Sequence, residues 1–128
     1  MWVICYYGLV NFSELDFGWI LINIVVLLFS LSIHEAAHAW AADQLGDPTG
    51  RDLGRVTLNP MAHVDLLGTV LFPLIGLIGG GLIFGWAKPV PVHPGRLENP
   101  KKGSLLVAAA GPAMNIVAAC GVLIVLKN

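Results

Sequence analysis

The sequence predicts an all-α membrane protein, a polytopic bundle of about three transmembrane helices. Apolar residues make up 56% of the 128 residues and only 12% are charged, with a mean hydropathy of +0.77. A soluble domain of ordinary composition carries about 25% charged residues. The apolar residues are also gathered into three long uncharged runs, which is the pattern of membrane-spanning helices.

Length and charge narrow the classes of protein further. A chain this short is expected to form one domain, here a single membrane-embedded domain over residues 1–128. Seven Lys and Arg stand against eight Asp and Glu, a net charge of −1, so we expect no nucleic-acid partner. Cys5 and Cys120 are too few for a disulfide framework and are expected to fill apolar space.

The first apolar run, residues 17–42, is interrupted only by a cluster of ionisable residues near its end. As a helix, its 26 residues would extend about 39 Å, enough to cross a hydrocarbon core of about 30 Å. Gly46 and Pro48 are stop signals just beyond it. Residues 1–16 contain no Lys or Arg and so do not look like a secretory signal, which predicts that this helix remains in the mature protein.

The second run, residues 66–87, is less regular, because it contains Pro73 and Gly79–Gly81. We expect it to span the membrane as a kinked helix. The alternative is a re-entrant segment, whose broken backbone needs cover from protein or a water-filled cavity. If it spans, the loops before and after it lie on opposite faces, and the count of basic residues leaves the orientation open.

The third run, residues 104–126, contains the small residues Ala108–Gly111. Small side chains let membrane helices approach closely, so this helix is expected to pack against a neighbour. Asn115 lies in the middle of the run, where an amide needs a hydrogen-bond partner. The Asn115 amide either forms an interhelical hydrogen bond that fixes packing or is a polar group near a functional site.

The first run contains the sequence His34-Glu35-Ala36-Ala37-His38. Residues four apart on a helix share a face, and two neutral imidazoles at this spacing can hold one Zn²⁺. Glu35 lies on the flank of the same face and can take a proton from water as general base. The pattern therefore predicts a zinc hydrolase centre with His34 and His38 as metal ligands and Glu35 as the catalytic residue.

The position of this motif strengthens the prediction. Ionisable residues within a membrane span cost several kcal/mol each and usually mark function. The structural alternative is a polar cluster at the membrane interface near the end of the helix.

A catalytic zinc also needs a third protein ligand and an open position. No spacing selects that ligand among the candidates His63, Asp65, His93, Asp43, Asp47, Asp52 and Glu98. The ordinary interpretation of His63 and Asp65 is a polar turn, and that of His93 is a solvated loop residue.

Four blocks of sequence together resemble one family. They are Ser32–Ala39, Gly54–Pro60 with His63–Asp65, Phe84–Val92 and Ala110–Asn115. The chain resembles the site-2 proteases, which are intramembrane zinc metalloproteases, and is most similar to the compact bacterial and archaeal members without a PDZ domain.

This resemblance implies a multi-pass protein of the cell membrane with Zn²⁺ buried in the bilayer. It implies that His34 and His38 are the histidine ligands and Glu35 the catalytic base. Asn115 matches the asparagine of the family's glycine-proline-asparagine helix, which packs near the active site. The implied reaction is hydrolysis of peptide bonds in or near transmembrane segments of other membrane proteins, as in regulated intramembrane proteolysis.

The sequence departs from the family at the third ligand. That ligand is an aspartate of a later helix, within an asparagine-proline and aspartate-glycine context, and this sequence contains no Asp-Gly pair. We therefore expect a C-terminally truncated chain, with the ligand beyond residue 128. One alternative is a catalytically incomplete family member that acts as a membrane-binding or scaffold protein. Another is a transporter fragment that binds ions through the His/Glu cluster, although repeated halves typical of transporters are absent.

Overall fold

The computed structural model describes residues 17–78 and 86–127. Residues 1–16, which include Cys5, and residues 79–85, which include Gly79–Gly81, lie outside these ranges. Within them every regular element is helical and no strand occurs. The α-helices are α1 (Phe17–Gln44), α2 (Thr49–Asp52), α3 (Phe72–Ile78) and α4 (Pro100–Lys127). Short 3₁₀ turns occur at Pro60–Ala62 and Pro94–Arg96, and a π-helical turn at Leu66–Leu71.

The two halves of α1 have different surroundings. Large apolar side chains such as Ile22 and Val26 are exposed in its first half. In its second half the buried side chains are small, and Ala39 and Ala42 are completely buried. Small side chains allow a second helix to pack closely, so the second half of α1 is where the chain builds its interior.

A glycine turn ends α1 where the stop signals predicted. Gly46 has a φ of +103°, in the left-handed region that glycine adopts without a steric penalty. The Asp47 N–H then donates to the carbonyl of Ala42 over 2.9 Å. This bond folds the chain back against the last turn of α1 and keeps Asp47 level with Ala42.

Helix α4 packs antiparallel to the second half of α1. Its buried residues Gly103, Val107 and Gly111 are spaced by four and therefore form one stripe along the helix. The predicted first and third spans fall within α1 and α4. By length and apolar composition the segments Ile24–Gln44 and Pro100–Lys127 are both able to cross a membrane. The described part of the chain thus has two candidate spans.

The second apolar run differs from the span that we expected, because its two ends lie together. The Trp86 N–H donates to the carbonyl of Gly68 over 3.0 Å, and the Thr69 hydroxyl donates to the carbonyl of Trp86 over 2.8 Å. The indole of Trp86 covers Gly68 and contacts the ring of Phe72, with 5.0 Å between ring centroids. The ends of a continuous span would be separated by about 30 Å. The contacts fit the re-entrant alternative, and three spans are not confirmed.

This fold-back brings the connecting loops to one end of the two long helices. The Glu98 N–H donates to the carbonyl of Leu45 over 3.0 Å, and the Lys88 N–H donates to the carbonyl of His63 over 2.9 Å. The loop after α1 and the loop before α4 are therefore neighbours, whereas a second span would have put them on opposite faces.

Candidate metal centre

The two histidines of the predicted zinc motif lie where α1 contacts α4. The rings of His34 and His38 are 4.6 Å apart between centroids and nearly perpendicular, at 83°. Gly111 of α4 lies directly opposite them. A Cβ atom on Gly111 would be 2.7 Å from His34 Nε2 and 2.5 Å from His38 Nε2, so both nitrogens approach one small volume. A methyl group there would overlap both rings, so the absence of a side chain at Gly111 lets the backbone of α4 approach both nitrogens.

The backbone of α4 orients the imidazole of His38. His38 Nδ1 lies 2.6 Å from the carbonyl oxygen of Val107. A carbonyl only accepts hydrogen bonds, so Nδ1 carries the proton and donates it. The lone pair then resides on Nε2, which faces Gly111. An outer hydrogen bond of this kind is the usual support of a metal-binding histidine.

Asn115 supports the other imidazole. Its side-chain Nδ2 lies 3.3 Å from His34 Nδ1, and Asn115 Oδ1 is buried with no hydrogen-bond partner among the described residues. The two ends of an amide exchange on a half rotation. With Oδ1 turned toward His34, the Nδ1–H donates to it, the unpartnered oxygen is satisfied and Nε2 becomes the free nitrogen. Asn115 therefore bonds between helices and also orients a residue of the site, which are the two roles left open by the sequence.

Glu35 is half-buried and is held by a loop that is distant in the sequence. Its Oε2 accepts the backbone N–H of Val90 over 3.1 Å. This bond draws the carboxylate toward the extended segment that precedes α4. Within the described ranges the other oxygen, Oε1, makes no hydrogen bond, so it is free to accept a proton.

The candidates for a third ligand are engaged elsewhere. Asp65 accepts the N–H groups of Leu67 and Gly68 as the cap of the π-helical turn. The buried His63 donates from Nε2 to the carbonyl of Thr57 over 2.9 Å. The remaining candidates contact loop groups or solvent: Asp43, Asp47, Asp52, His93 and Glu98.

No group of three His, Cys, Asp or Glu residues that could hold a metal ion occurs among the described residues. The chemistry of His34 and His38 fits two ligand positions of a zinc site, both with orienting partners. A further ligand is not supplied by the described ranges, so these residues form part of a site.

Sequence reasoning did not identify three components of this arrangement. They are the Val90 N–H, the Val107 carbonyl and the absence of a side chain at Gly111. Backbone groups have no pattern of residue types that marks them. The run Ala108–Gly111 did indicate close helix packing, which is the one signal that pointed toward the Gly111 contact.

Comparison with known proteins agrees with the motif. The chain is 40% identical over 96 residues to the protein named "Putative zinc metalloprotease YwhC" of Bacillus subtilis (strain 168), which is 75% of this chain and 41% of that protein. It is 31% identical over 103 residues to "Putative zinc metalloprotease Rip2" of Mycolicibacterium smegmatis (strain ATCC 700084 / mc(2)155), which is 80% of this chain and 38% of that protein.

The chain spans about two fifths of the length of the curated relatives that it matches. No family model matches it, and no solved structure matches it significantly. The two relatives carry the zinc metalloprotease name, and both similarities extend over at least three quarters of this chain. The resemblance drawn from the four blocks of sequence is thereby confirmed, and the chain is a homologue of zinc metalloproteases of the site-2 protease family.

Proposed function

We propose that this chain carries two zinc ligands and the general base of an intramembrane metalloendopeptidase. Its substrates in this proposal are transmembrane segments of other proteins, cleaved within or near a lipid bilayer. The observation that carries the proposal is the approach of His34 Nε2 and His38 Nε2 to one point beside Gly111, with Glu35 on the same helix turn. The names of the two relatives support the same chemistry.

Each residue of the proposed site has a defined task in this reaction. A bound Zn²⁺ supplies Lewis acidity, which allows water to attack a peptide carbonyl at neutral pH. Glu35 Oε1 accepts the proton of the attacking water and then delivers it to the departing amine. The Val90 N–H holds Oε2 and so limits the rotation of the carboxylate. Val107 and Asn115 orient the two imidazoles.

The site lies near one end of the helices. His38 is six residues before the end of α1 at Gln44, about 9 Å along a helix. A substrate helix lying beside α1 would therefore be cut in the part of its span that is nearest to the connecting loops. Its backbone has to unwind locally there, because the peptide groups of an intact helix are already hydrogen-bonded to one another.

The distribution of basic residues suggests which side of the membrane this end faces. Six of the seven Lys and Arg belong to α2, the connecting loops and the first turn of α4, and they are Arg51, Arg55, Lys88, Arg96, Lys101 and Lys102. Lys127 is at the opposite end of α4, and residues 1–16 have none. Basic loops remain on the cytoplasmic side of membranes, so the proposed site is nearest to the cytoplasm.

The second candidate function is a membrane scaffold without activity. One observation favours it, because the described ranges hold only part of a metal site. A scaffold has no use for a general base, yet Glu35 stands beside both histidines. The two candidates therefore differ in whether the protein that contains this chain binds zinc and whether Glu35 is needed for cleavage.

The test uses the full-length protein reconstituted in lipid vesicles with a library of single-span transmembrane peptides. Zinc is measured by mass spectrometry and cleavage by peptide fragments. We expect about one zinc per wild-type protein and loss of zinc in His34→Ala and in His38→Ala. In Glu35→Gln zinc is retained while cleavage falls at least about 100-fold. Glu98→Gln, an exposed loop carboxylate, serves as the matched control. A wild-type protein without zinc would contradict the proposal and favour the scaffold.

A further inference from the structure

Asp47 is a completely buried carboxylate outside the proposed metal centre. Its exposed fraction is 0%, and a buried charge needs hydrogen-bonded partners. Oδ1 accepts the N–H of Thr49 over 3.2 Å and the Thr49 hydroxyl over 2.5 Å. Oδ2 accepts the backbone N–H of His93 over 2.6 Å. The first set of bonds is local, whereas the bond to His93 joins two loops that are 46 residues apart.

A small polar network surrounds this carboxylate. The Thr49 hydroxyl donates its proton to Asp47, and its oxygen accepts from Arg96 Nη1 over 2.9 Å. Arg96 Nη1 is also 4.0 Å from Asp47 Oδ1. Burial alone would raise the pKa of Asp47. The hydrogen bonds from His93 and Thr49 outweigh burial and hold the pKa below its ordinary value, so Asp47 is ionised at neutral pH.

The loop segment that Asp47 binds also contacts Glu35. Prolines at 89, 91 and 94 have no N–H to donate and favour an extended backbone. Three N–H groups of the segment bond to distant parts of the chain. Lys88 bonds to the His63 carbonyl, Val90 to Glu35 Oε2 and His93 to Asp47 Oδ2. The bond to Glu35 thus lies between two anchors.

The spacing of the bonds from Val90 and His93 matches the distance between Glu35 and Asp47 along the axis of α1. From Val90 to His93 is three residues, about 9 Å of polyproline-like backbone. From Glu35 to Ala42 is seven residues of helix, about 10.5 Å, and Asp47 is bonded at the level of Ala42. The segment therefore runs alongside α1 with one bond to a carboxylate at each end.

Packing leaves Val90 little freedom to shift sideways. A Cβ atom on Gly50 would lie 3.1 Å from Val90 Cγ1 and 3.0 Å from the Cβ of Ala39. The glycine therefore lets the segment, α2 and α1 approach one another closely. What remains free is sliding of the segment along α1, and the bond between His93 and Asp47 opposes that movement.

We propose that Asp47 is a positioning residue for Glu35, which it controls through the backbone of residues 90–93. By anchoring the His93 N–H, it keeps the Val90 N–H against Glu35 Oε2 and so limits rotation of the carboxylate. The effect on catalysis rests on the proposed function, whereas the effect on the loop does not.

Hydrogen exchange tests the loop without any need for activity. In full-length protein labelled with ¹⁵N-valine and ¹⁵N-histidine, we expect Asp47→Asn to speed exchange of the Val90 and His93 amides at least about tenfold. Valine amides of α1 and Val107 of α4 should be unchanged. His93→Pro removes the donor of the same hydrogen bond, and it should speed exchange of the Val90 amide to the same extent. Asp52→Asn, at an exposed carboxylate that bonds to Arg51 within the described ranges, should change neither rate.

Kinetics with the same vesicles and peptide library test the consequence for Glu35. We expect Asp47→Asn and His93→Pro each to lower kcat about tenfold, with KM within about twofold and zinc content unchanged. Val90→Pro removes the donor to Glu35 itself, so adding Asp47→Asn to it should lower kcat no further.

Three outcomes would overturn the inference. They are unchanged exchange of the Val90 amide in both Asp47→Asn and His93→Pro, faster exchange throughout α1 and α4, and additive losses of kcat when Asp47→Asn is combined with Val90→Pro. If the wild-type protein cleaves nothing, the proposed function fails, and the exchange experiment still decides whether Asp47 positions the segment.

Discussion

Two glycines without room for a side chain close two different contacts in this molecule. Gly111 faces the Nε2 atoms of His34 and His38, and Gly68 faces the indole of Trp86. In both places a Cβ atom would come within about 2.5–2.7 Å of its neighbours. The contact at Gly111 joins α1 to α4, whereas the contact at Gly68 joins the two ends of the fold-back.

The difference between the contacts lies in the neighbours. The nitrogens at Gly111 belong to two side chains whose other nitrogens are already bonded to Val107 and Asn115, so the nitrogens facing the glycine are free for a ligand. The neighbour at Gly68 is an aromatic ring that fills its space and also packs against Phe72. A glycine without room for a side chain therefore indicates a binding site only when the groups that face it can still bind a ligand.

Replacing Gly111 with alanine should have the largest effect on function. The methyl group would overlap both imidazoles, which have to shift from the positions held by Val107 and Asn115. Helix α4 should still form, because alanine favours a helix more than glycine does. The two Nε2 atoms would no longer approach one point. We expect zinc affinity of the full-length protein to fall at least about 100-fold, measured by competition with a chelator, and peptide cleavage to be lost with it.

Gly121→Ala is the matched control, because a Cβ on this glycine of the same helix meets nothing within 4 Å. It should leave zinc affinity and cleavage unchanged. If Gly111→Ala kept normal zinc affinity, the approach of the two nitrogens would have no part in metal binding.

Much of the site was predictable because it depends on helix geometry. Residues 34 and 38 share a face in any α-helix, and Glu35 necessarily flanks them. The partners of these residues were less accessible to prediction. Asn115 was suspected because an amide in an apolar run needs a bond, but the Val90 N–H is a backbone group on a loop 55 residues away from Glu35, and no residue type signals it.

The fold also has one part that was predictable from the sequence and one part that was not. Residues 104–126 carry no charge and do lie within a long helix. Residues 66–87 are also long and apolar enough to span, and their hydropathy does not tell where their ends lie. The decisive features are local: Asp65 caps a π-helical turn, and Gly68 leaves space for Trp86. Such contacts depend on tertiary structure, which run length cannot reveal.

Replacing Gly68 with alanine should affect stability rather than chemistry. The new Cβ would overlap the Trp86 ring, which is held by its own backbone bond to Gly68 and by Phe72. Overpacking of this kind costs about 1–3 kcal/mol. We expect a lower melting temperature in detergent with zinc affinity within about twofold of wild type, which is the reverse of the result for Gly111→Ala.

Gly95→Ala is the control for this experiment, since a Cβ at Gly95 also meets nothing within 4 Å, and it should leave the melting temperature unchanged. A Gly68→Ala protein that melted normally but lost zinc would mean that the fold-back contributes to the site directly, and the contrast between the two glycines would disappear.

Asp47 provides the smallest expected effect, on the dependence of stability on pH. Burial opposes the ionised form of this loop carboxylate, but hydrogen bonds from His93 and Thr49 hold its folded pKa below the ordinary value of 3.8. The folded protein therefore binds fewer protons than the unfolded chain as the pH falls past about 4. The stabilisation from this carboxylate is complete above the unfolded pKa and is lost as the pH falls through the folded pKa.

Asp47→Asn removes this titration, so it separates the loop anchor from both glycine contacts. We expect the variant to melt below wild type near pH 7, and the difference to shrink between about pH 5 and pH 3. The basic groups around the carboxylate, His93 and Arg96, are present in both proteins. Asp52→Asn, whose carboxylate is 63% exposed, should keep the wild-type slope. A constant difference across the range would mean that Asp47 stabilises the loops by packing alone, in which case its hydrogen bonds to His93 and Thr49 contribute no net free energy to the ionised form.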